Sequence, residues 1–236
     1  MSSAASRNNV GPNDDRVPLD PREAFRMWAA DYRENPVTHL DQVALRELCP
    51  DLDGAALLDV GCGPARRLPV PGKGSVRLAV GIDLSVAMLR AAEGHRGRLV
   101  AATVEAIPLG TALFDVVWCR LTLGYVQDLR GAYEELARVT RVGGRVVVTD
   151  LHSAAVRAGH TRSFRDTAGI THVVRSYVHE PEHHSGSATA AGLRPQRRLD
   201  LSIGPDVRSF YQAADRLDRY ERDRNLSLVL AWSFTR

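Results

Sequence analysis

Leu57-Leu58-Asp59-Val60-Gly61-Cys62-Gly63-Pro64 is the stretch that decides the fold. A short apolar run that breaks into two glycines reads as a buried strand whose end brings bare main chain close to a ligand. Glycine suits that turn because a Cβ would clash with the ligand or forbid the backbone conformation. An ordinary tight strand-to-helix turn and a dinucleotide-binding loop share the pattern, so the next acidic residue matters. Asp83 closes Val80-Gly81-Ile82-Asp83-Leu84-Ser85, about twenty residues after the glycines, where a carboxylate can accept the ribose hydroxyls of an adenosine cofactor. Leu84 would then present an apolar surface to the base. Alone, Asp83 could equally be a helix-capping acid.

Outward from this segment, apolar runs recur at 77–82, 99–102, 114–119 and 145–150. Each is short, rich in Val, Leu or Ala, and bounded by turn residues, as befits strands buried on both faces of a parallel sheet. Helical stretches lie between them. Ser85 caps a helix through 86–93, and Asp128 caps one through Tyr133, Leu136 and Val139 that stops before Gly143-Gly144. Upstream, 23–33 has helical periodicity, with Phe25, Trp28 and Ala29 on one side. A second helix starts at Pro36 with Asn35 as its cap and turns Leu40, Val43, Ala44 and Leu48 inward. Downstream, 171–178 and 196–203 read as strands, 206–224 as a helix of mixed charge, and 226–234 as a closing strand. Alternating strand and helix predicts a doubly wound α/β sheet with right-handed crossovers.

The chain has 236 residues, 44% hydrophobic and 25% charged, with a formal charge of +3. These values predict a globular protein with one core rather than a polyanion-binding surface. No apolar run approaches the roughly 18 residues of a membrane span. Residues 1–20 read as a polar, disordered lead-in without a signal sequence. Cys49, Cys62 and Cys119 form neither a disulfide framework nor a C-x-x-C pair. The expected location is the cytoplasm. Of 31 basic residues only Lys73 is lysine, a bias typical of GC-rich bacterial coding.

The ordered set D-V-G-C-G-P, G-I-D-L-S-V-A-M-L, F-D-V-V-W-C and L-A-R-V-T-R-V-G-G-R-V resembles the class I S-adenosylmethionine (SAM)-dependent methyltransferases, in particular their small-molecule, type 11 branch. The resemblance covers roughly residues 21–236. It implies a Rossmann-like, seven-stranded sheet in order 3-2-1-4-5-7-6 with the last strand antiparallel, in one domain whose cap elements fall at 21–50 and 152–192. It also implies site roles. Asp59, Gly61, Cys62 and Gly63 would line the methionine and ribose parts of SAM, and Asp83 would hold the ribose with Leu84 and Met88 beside the adenine. Thr103, Val104 and Glu105 would meet the adenine edge, and Arg120 and Leu121 the methionine. Tyr32 and Asn35 resemble the N-terminal helix that closes over SAM.

Three features depart from that pattern. Ala65 replaces the third glycine, and Thr103 stands where an aspartate usually takes the adenine amino group. Pro69 and Pro71 follow the glycine loop; proline costs about 3 kcal/mol inside a helix, so the helix there must be short or broken.

Six histidines lie in 152–184, after the fifth strand, where substrate pockets form above the cofactor. His152, His179 and Tyr125 are the candidate proton acceptors. The pattern His179-Glu180-Pro181-Glu182-His183 matches H-E-x-x-H, but Pro181 interrupts the helix such a zinc site needs, and no metal is expected. The arginines of 194–224 alternate with acids, as on a solvated face rather than a nucleic-acid surface. The expected activity is methyl transfer from SAM to an O, N or C atom of a small-molecule substrate in bacterial secondary metabolism, with no nucleic acid or membrane partner; a homodimer is compatible. The alternative is a SAM-binding fold without methyl transfer, in a cyclase, regulatory or scaffold role. A nicotinamide-dependent oxidoreductase fits 114–119 and Gly143-Gly144 less well.

Overall fold

All five residues of the strand around Leu57 are buried, four of them apolar and the fifth, Asp59, paired with Arg120, and the rest of the molecule is arranged on either side of it. The computed structural model describes residues 16–72, 75–92, 94 and 98–236; most of the expected lead-in, together with Lys73, Gly74 and Glu93, lies outside them. In chain order the elements are α1 (Pro21–Trp28), α2 (Pro36–Leu48), β1 (Ala56–Val60), β2 (Leu78–Asp83), α3 (Val86–Arg90), β3 (Leu99–Ala101), β4 (Phe114–Arg120), α4 (Leu129–Val139), β5 (Thr140–Leu151), α5 (Ser153–Arg157), β6 (Ser163–Arg165), β7 (Thr171–Val173), α6 (Pro181–Ala190), β8 (Arg194–Ser202), α7 (Arg208–Ala213), α8 (Leu217–Asp223) and β9 (Ser227–Thr235).

The main sheet runs β3-β2-β1-β4-β5-β9-β8. β1 to β5 pair in parallel, whereas β9 is antiparallel to both β5 and β8. With β8 and β9 as its sixth and seventh strands, this is the expected Rossmann-like order and direction.

The period of two along each strand sorts side chains into two cores. Leu58, Val60, Val117 and Val148 pack with Tyr133 and Leu136 of α4 and Ala188 of α6. Leu57, Val116, Trp118 and Val147 pack with Ala44, Leu45 and Leu48 of α2.

Four readings change. Residues 61–72 form only turns, with no helix between the glycine loop and the second strand among the described residues; the prolines account for this. The strand expected over 171–178 ends at Val173, because the chain there bonds to the N-terminal segment instead: Leu19 N–H donates to Val173 C=O and Arg175 N–H to Leu19 C=O, both at 2.8 Å. With β6, β7 forms a separate two-stranded ribbon. The helix expected over 206–224 is broken at Asp215, whose φ of 53° is left-handed. Finally, Pro181, expected to interrupt a helix, opens α6 at its first position, where the missing N–H costs nothing.

The helix α2 starts as the sequence implies. Asn35 accepts from the N–H groups of Val37 and Thr38, and Thr38 Oγ1 accepts from Asn35 N–H at 2.9 Å, closing a capping box. Replacing Asn35 with alanine should cost about 1 kcal/mol and lower the melting temperature by about 2–4 °C, as read by circular dichroism. An unchanged midpoint would show that this cap does not stabilise the folded chain.

Candidate active site

The glycine loop is held from two directions. Gly61 (φ 74°) and Gly63 (φ 54°) are in the left-handed region that glycine enters without steric cost. A Cβ on Gly61 would stand 1.9 Å from Thr122 Oγ1, whereas one on Gly63 would meet nothing within 4 Å. Gly61 therefore interlocks the loops after β1 and β4, and Gly63 leaves room over its main chain. Asp83 at the tip of β2 secures the loop, Oδ2 accepting from Gly63 N–H at 2.7 Å and Oδ1 from Ser85 N–H at 2.8 Å. Burial raises the Asp83 carboxyl, and the two main-chain donors oppose that rise. Each oxygen keeps a further lone pair.

Beneath the loop lies a buried charge network. Arg120, at the end of β4, donates through Nη1 to Asp41 at 3.0 Å and through Nη2 to Asp59 at 2.9 Å. Asp41 also accepts from Thr149 Oγ1 at 2.6 Å and from Arg67 at 3.0 Å. Burial pushes the Asp59 carboxyl up and Arg120 draws it back. Two atoms of the network have no hydrogen-bond partner, Asp59 Oδ1 and Arg120 Nε.

Aromatic rings form the opposite wall. Trp28 stacks on Phe164 at 5.1 Å and lies 4.8 Å from Tyr32, while Phe25 meets Tyr125 edge-on at 5.1 Å. Arg66 donates to Tyr32 C=O at 2.6 Å and so ties this wall to the glycine loop. Burial, then the neighbouring Tyr125 and Asp41, push the Tyr32 phenol up to about 12. Behind the rings Arg162 pairs with Asp150 and lies over the Tyr125 ring at 4.8 Å. Burial alone would raise the Asp150 carboxyl, but Arg162 and His184 hold it below the usual carboxylate range.

These walls enclose a cavity of about 970 Å³, at the upper end of the roughly 300–1,000 Å³ of small-molecule clefts. Residues 58–148, which supply most of its floor, match the model of a methyltransferase domain, Methyltransf_11. The chain carries a class I, type 11 methyltransferase domain.

The chain is 32% identical over 171 residues to a malonyl-[acyl-carrier protein] O-methyltransferase of Salmonella typhimurium, covering 65% of this chain and 66% of that protein. It is 33% identical over 154 residues to a demethylmenaquinone methyltransferase of Mycobacterium sp., covering 61% and 66%. In the first four curated relatives the match spans 43% to 66% of their own length. The crystal structure of an S-adenosylmethionine dependent methyltransferase from Mesorhizobium loti superposes with a TM-score of 0.61 at 19% identity, covering 83% of this chain and 97% of that one.

The cofactor of this class is SAM, and the residues present suit it. The open space above Gly63, the spare lone pairs of Asp83 and the orphaned Asp59 Oδ1 match what main chain, ribose and ammonium require. Of the residues expected to hold the cofactor, Tyr32, Gly61, Cys62, Gly63, Asp83, Leu84, Met88, Thr103, Val104, Glu105, Arg120 and Leu121 all line the cavity. Asp59 sits just behind them, hydrogen-bonded to Arg120.

Among the expected proton acceptors, Tyr125 lines the cavity; His152 and His179 do not. His152 caps α5, Nδ1 accepting from Ala154 N–H at 3.0 Å. His179 is buried and bonds through Nε2 to Val126 C=O at 2.8 Å. It also precedes α6, so the H-E-x-x-H pattern does not occupy one helix face. The histidine that does line the cavity is His160, between Asp223 (3.0 Å) and Arg219 (3.2 Å). Sequence reading passed over Asp41, Arg67 and Arg162. For Asp41 a signal existed, since it shares the buried face of α2 with Ala44, Leu45 and Leu48.

Gly61→Ala should destabilise the fold by about 1–3 kcal/mol through overpacking. Adding Thr122→Ala should recover the steric part and leave the cost of the left-handed φ, giving a coupling between the sites in a denaturation double-mutant cycle. Purely additive effects would contradict the interlock.

Proposed function

We propose that this chain transfers the methyl group of SAM to a small metabolite of bacterial secondary metabolism, and that residues 21–236 act as one domain in doing so. The observation that carries the reading is Asp83, a half-buried carboxylate that fixes the glycine loop while keeping lone pairs for a ribose, at the edge of a cavity that continues to an aromatic wall. Relatives that share the domain are named for methylating a malonyl-[acyl-carrier protein] and a demethylmenaquinone, which favours a metabolite over a nucleic acid. Three unpaired cysteines agree with a reducing, cytoplasmic setting, and no helix among the described residues is long and apolar enough to cross a membrane.

When bound, SAM would supply an electrophilic methyl group, with its sulfonium sulfur as the leaving group that keeps the C–S electron pair. The protein's part is alignment and exclusion of water. Asp83 holds the ribose, Leu84 and Met88 flank the adenine, and Asp59 with Arg120 fixes the amino-acid end. Phe25, Trp28, Tyr32 and Phe164 enclose the reacting atoms. Tyr125 serves as a neutral hydrogen-bonding phenol, because burial raises its pKa. His160 orients rather than abstracts: burial, then Arg219, lower its pKa, and both ring nitrogens are engaged. Neither Tyr125 nor His160 is poised as a strong base, which suits an acceptor that is already nucleophilic.

Calorimetry should show SAM binding, with Asp83→Ala weakening it by about tenfold or more, the scale of a lost charged hydrogen bond of about 1.5–3 kcal/mol. Unaltered affinity in Asp83→Ala would overturn the placement of the ribose. Methyl-labelled SAM incubated with cell extract should yield a labelled small molecule; label retained wholly on SAM and its breakdown products would favour a binding role without transfer.

A further inference from the structure

Lining arginines occur along the whole chain, Arg33, Arg66, Arg67 and Arg120 among them, but the lining acids are confined to its first part. These acids, Asp31, Glu34, Asp41, Asp83 and Glu105, all precede residue 106. Beyond residue 150 the described lining contains Arg162, Arg165, Arg216, Arg219 and His160, and no acid. Arg162 is neutralised by Asp150. The others are not matched one for one.

Asp223 alone serves three partners, His160 Nε2 at 3.0 Å, Arg222 Nε at 2.8 Å and Arg219 Nε at 3.5 Å. Arg219 Nη2 faces His160 Nδ1 at 3.2 Å. Because Nδ1 must then accept, the ring is the neutral Nε2–H tautomer and adds no positive charge of its own. Arg219 Nε is buried without a hydrogen-bond partner. Arg216 lies one helical turn before Arg219, at the start of α8, so the two share a face. Its only carboxylate neighbour among the described residues, Asp218, is 3.9 Å away and largely exposed, a pairing worth little. Three guanidiniums thus share two carboxylates, and the surplus charge lies on the side of α8 that faces the cavity. The aromatic wall of Phe25, Trp28 and Phe164 lines the same cavity.

We propose that Arg216 and Arg219 form an anion subsite, and that the methyl acceptor is an acid, carboxylate or phosphate, carrying an apolar or aromatic body. The anionic group docks on α8 and the body rests against Phe25, Trp28 and Phe164. Asp223 and His160 are positioning residues: they hold the Arg219 guanidinium in place, and His160 does so without competing for the anion as a cation. Paired guanidiniums are the donors best matched to the planar or tetrahedral oxygens of such groups. The inference rests on the reading of this cavity as the place where donor and acceptor meet, but its test does not depend on methyl transfer.

The test is calorimetry on protein saturated with S-adenosylhomocysteine, using succinate, pyrophosphate and neutral succinamide as probes. One of the two anions should bind at millimolar concentration and succinamide should not; the tighter anion identifies carboxylate or phosphate as the natural group. Arg219→Gln and the exposed-site variant Arg216→Gln should each weaken that anion by about tenfold, or about 1.4 kcal/mol, and leave S-adenosylhomocysteine affinity within about twofold. Added salt should weaken anion binding in the unsubstituted chain more than in either variant. Equal binding of succinamide, no binding of either anion, or anion affinity unchanged in both variants would overturn the proposal. Failure of S-adenosylhomocysteine itself to bind would instead strike at the function proposed above.

Discussion

Arg120 is the constraint on which the site depends. Its side chain is only 7% exposed and is held between two carboxylates that are 1% exposed each. Asp41 belongs to α2, Asp59 to β1 and Arg120 to β4, and Thr149 of β5 joins through Asp41. One guanidinium therefore sets the height of the N-terminal cap over the tips of three parallel strands. Such a network contributes modestly to net stability, because its Coulombic gain is offset by desolvation; removing one member, however, strands the others at a cost of about 3–5 kcal/mol. Its value is positional. The unfilled valences, Asp59 Oδ1 and Arg120 Nε, are those from which a zwitterionic ligand end would gain most.

The strand tips and the cap meet through different physics. On the sheet side, contacts are main-chain and charge-assisted: Asp83 to Gly63 and Ser85, and Gly61 and Cys62 N–H groups to Ile82 C=O. On the cap side, they are ring against ring, with Phe25, Trp28, Tyr32, Tyr125 and Phe164 in succession. The first set is directional and rigid, suited to fixing a nucleoside. The second is apolar and tolerant of shape, suited to excluding water around an acceptor. Gly124 connects them, since a Cβ there would stand 2.1 Å from Arg162 Nη2.

Much of this was legible in the sequence because the cofactor half is local. Gly61, Gly63 and Asp83 sit at strand ends, and strand ends announce themselves by a change from apolar run to turn residues. The sheet order followed from the ordered motifs together with their resemblance to a family. What stayed hidden was made by distant partners. Asp41 and Arg120 are 79 residues apart, and nothing in either segment names the other. The helix α6 escaped because Pro-Glu-His-His-Ser-Gly-Ser-Ala-Thr-Ala has no apolar stripe; it is anchored instead by buried His184, whose Nδ1 is 3.0 Å from Tyr133 Oη. His152 and His179 looked catalytic from their place after the fifth strand, yet His152 Nδ1 and His179 Nε2 serve backbone groups and His152 Nε2 faces Asp200. Nearness in sequence to a strand tip does not fix which way a ring points.

The pairing of Leu19 with Val173 and Arg175 has a mechanical consequence. Two main-chain hydrogen bonds, each worth about 1 kcal/mol net, rivet the start of α1 to the β6–β7 ribbon. The aromatic wall is thus assembled from both sides of the sheet in sequence, Phe25 and Trp28 from one and Phe164 from the other, yet it behaves as a single panel. A guest too large for the doorway cannot nudge one strip of chain aside; it must shear the rivets or swing the whole panel.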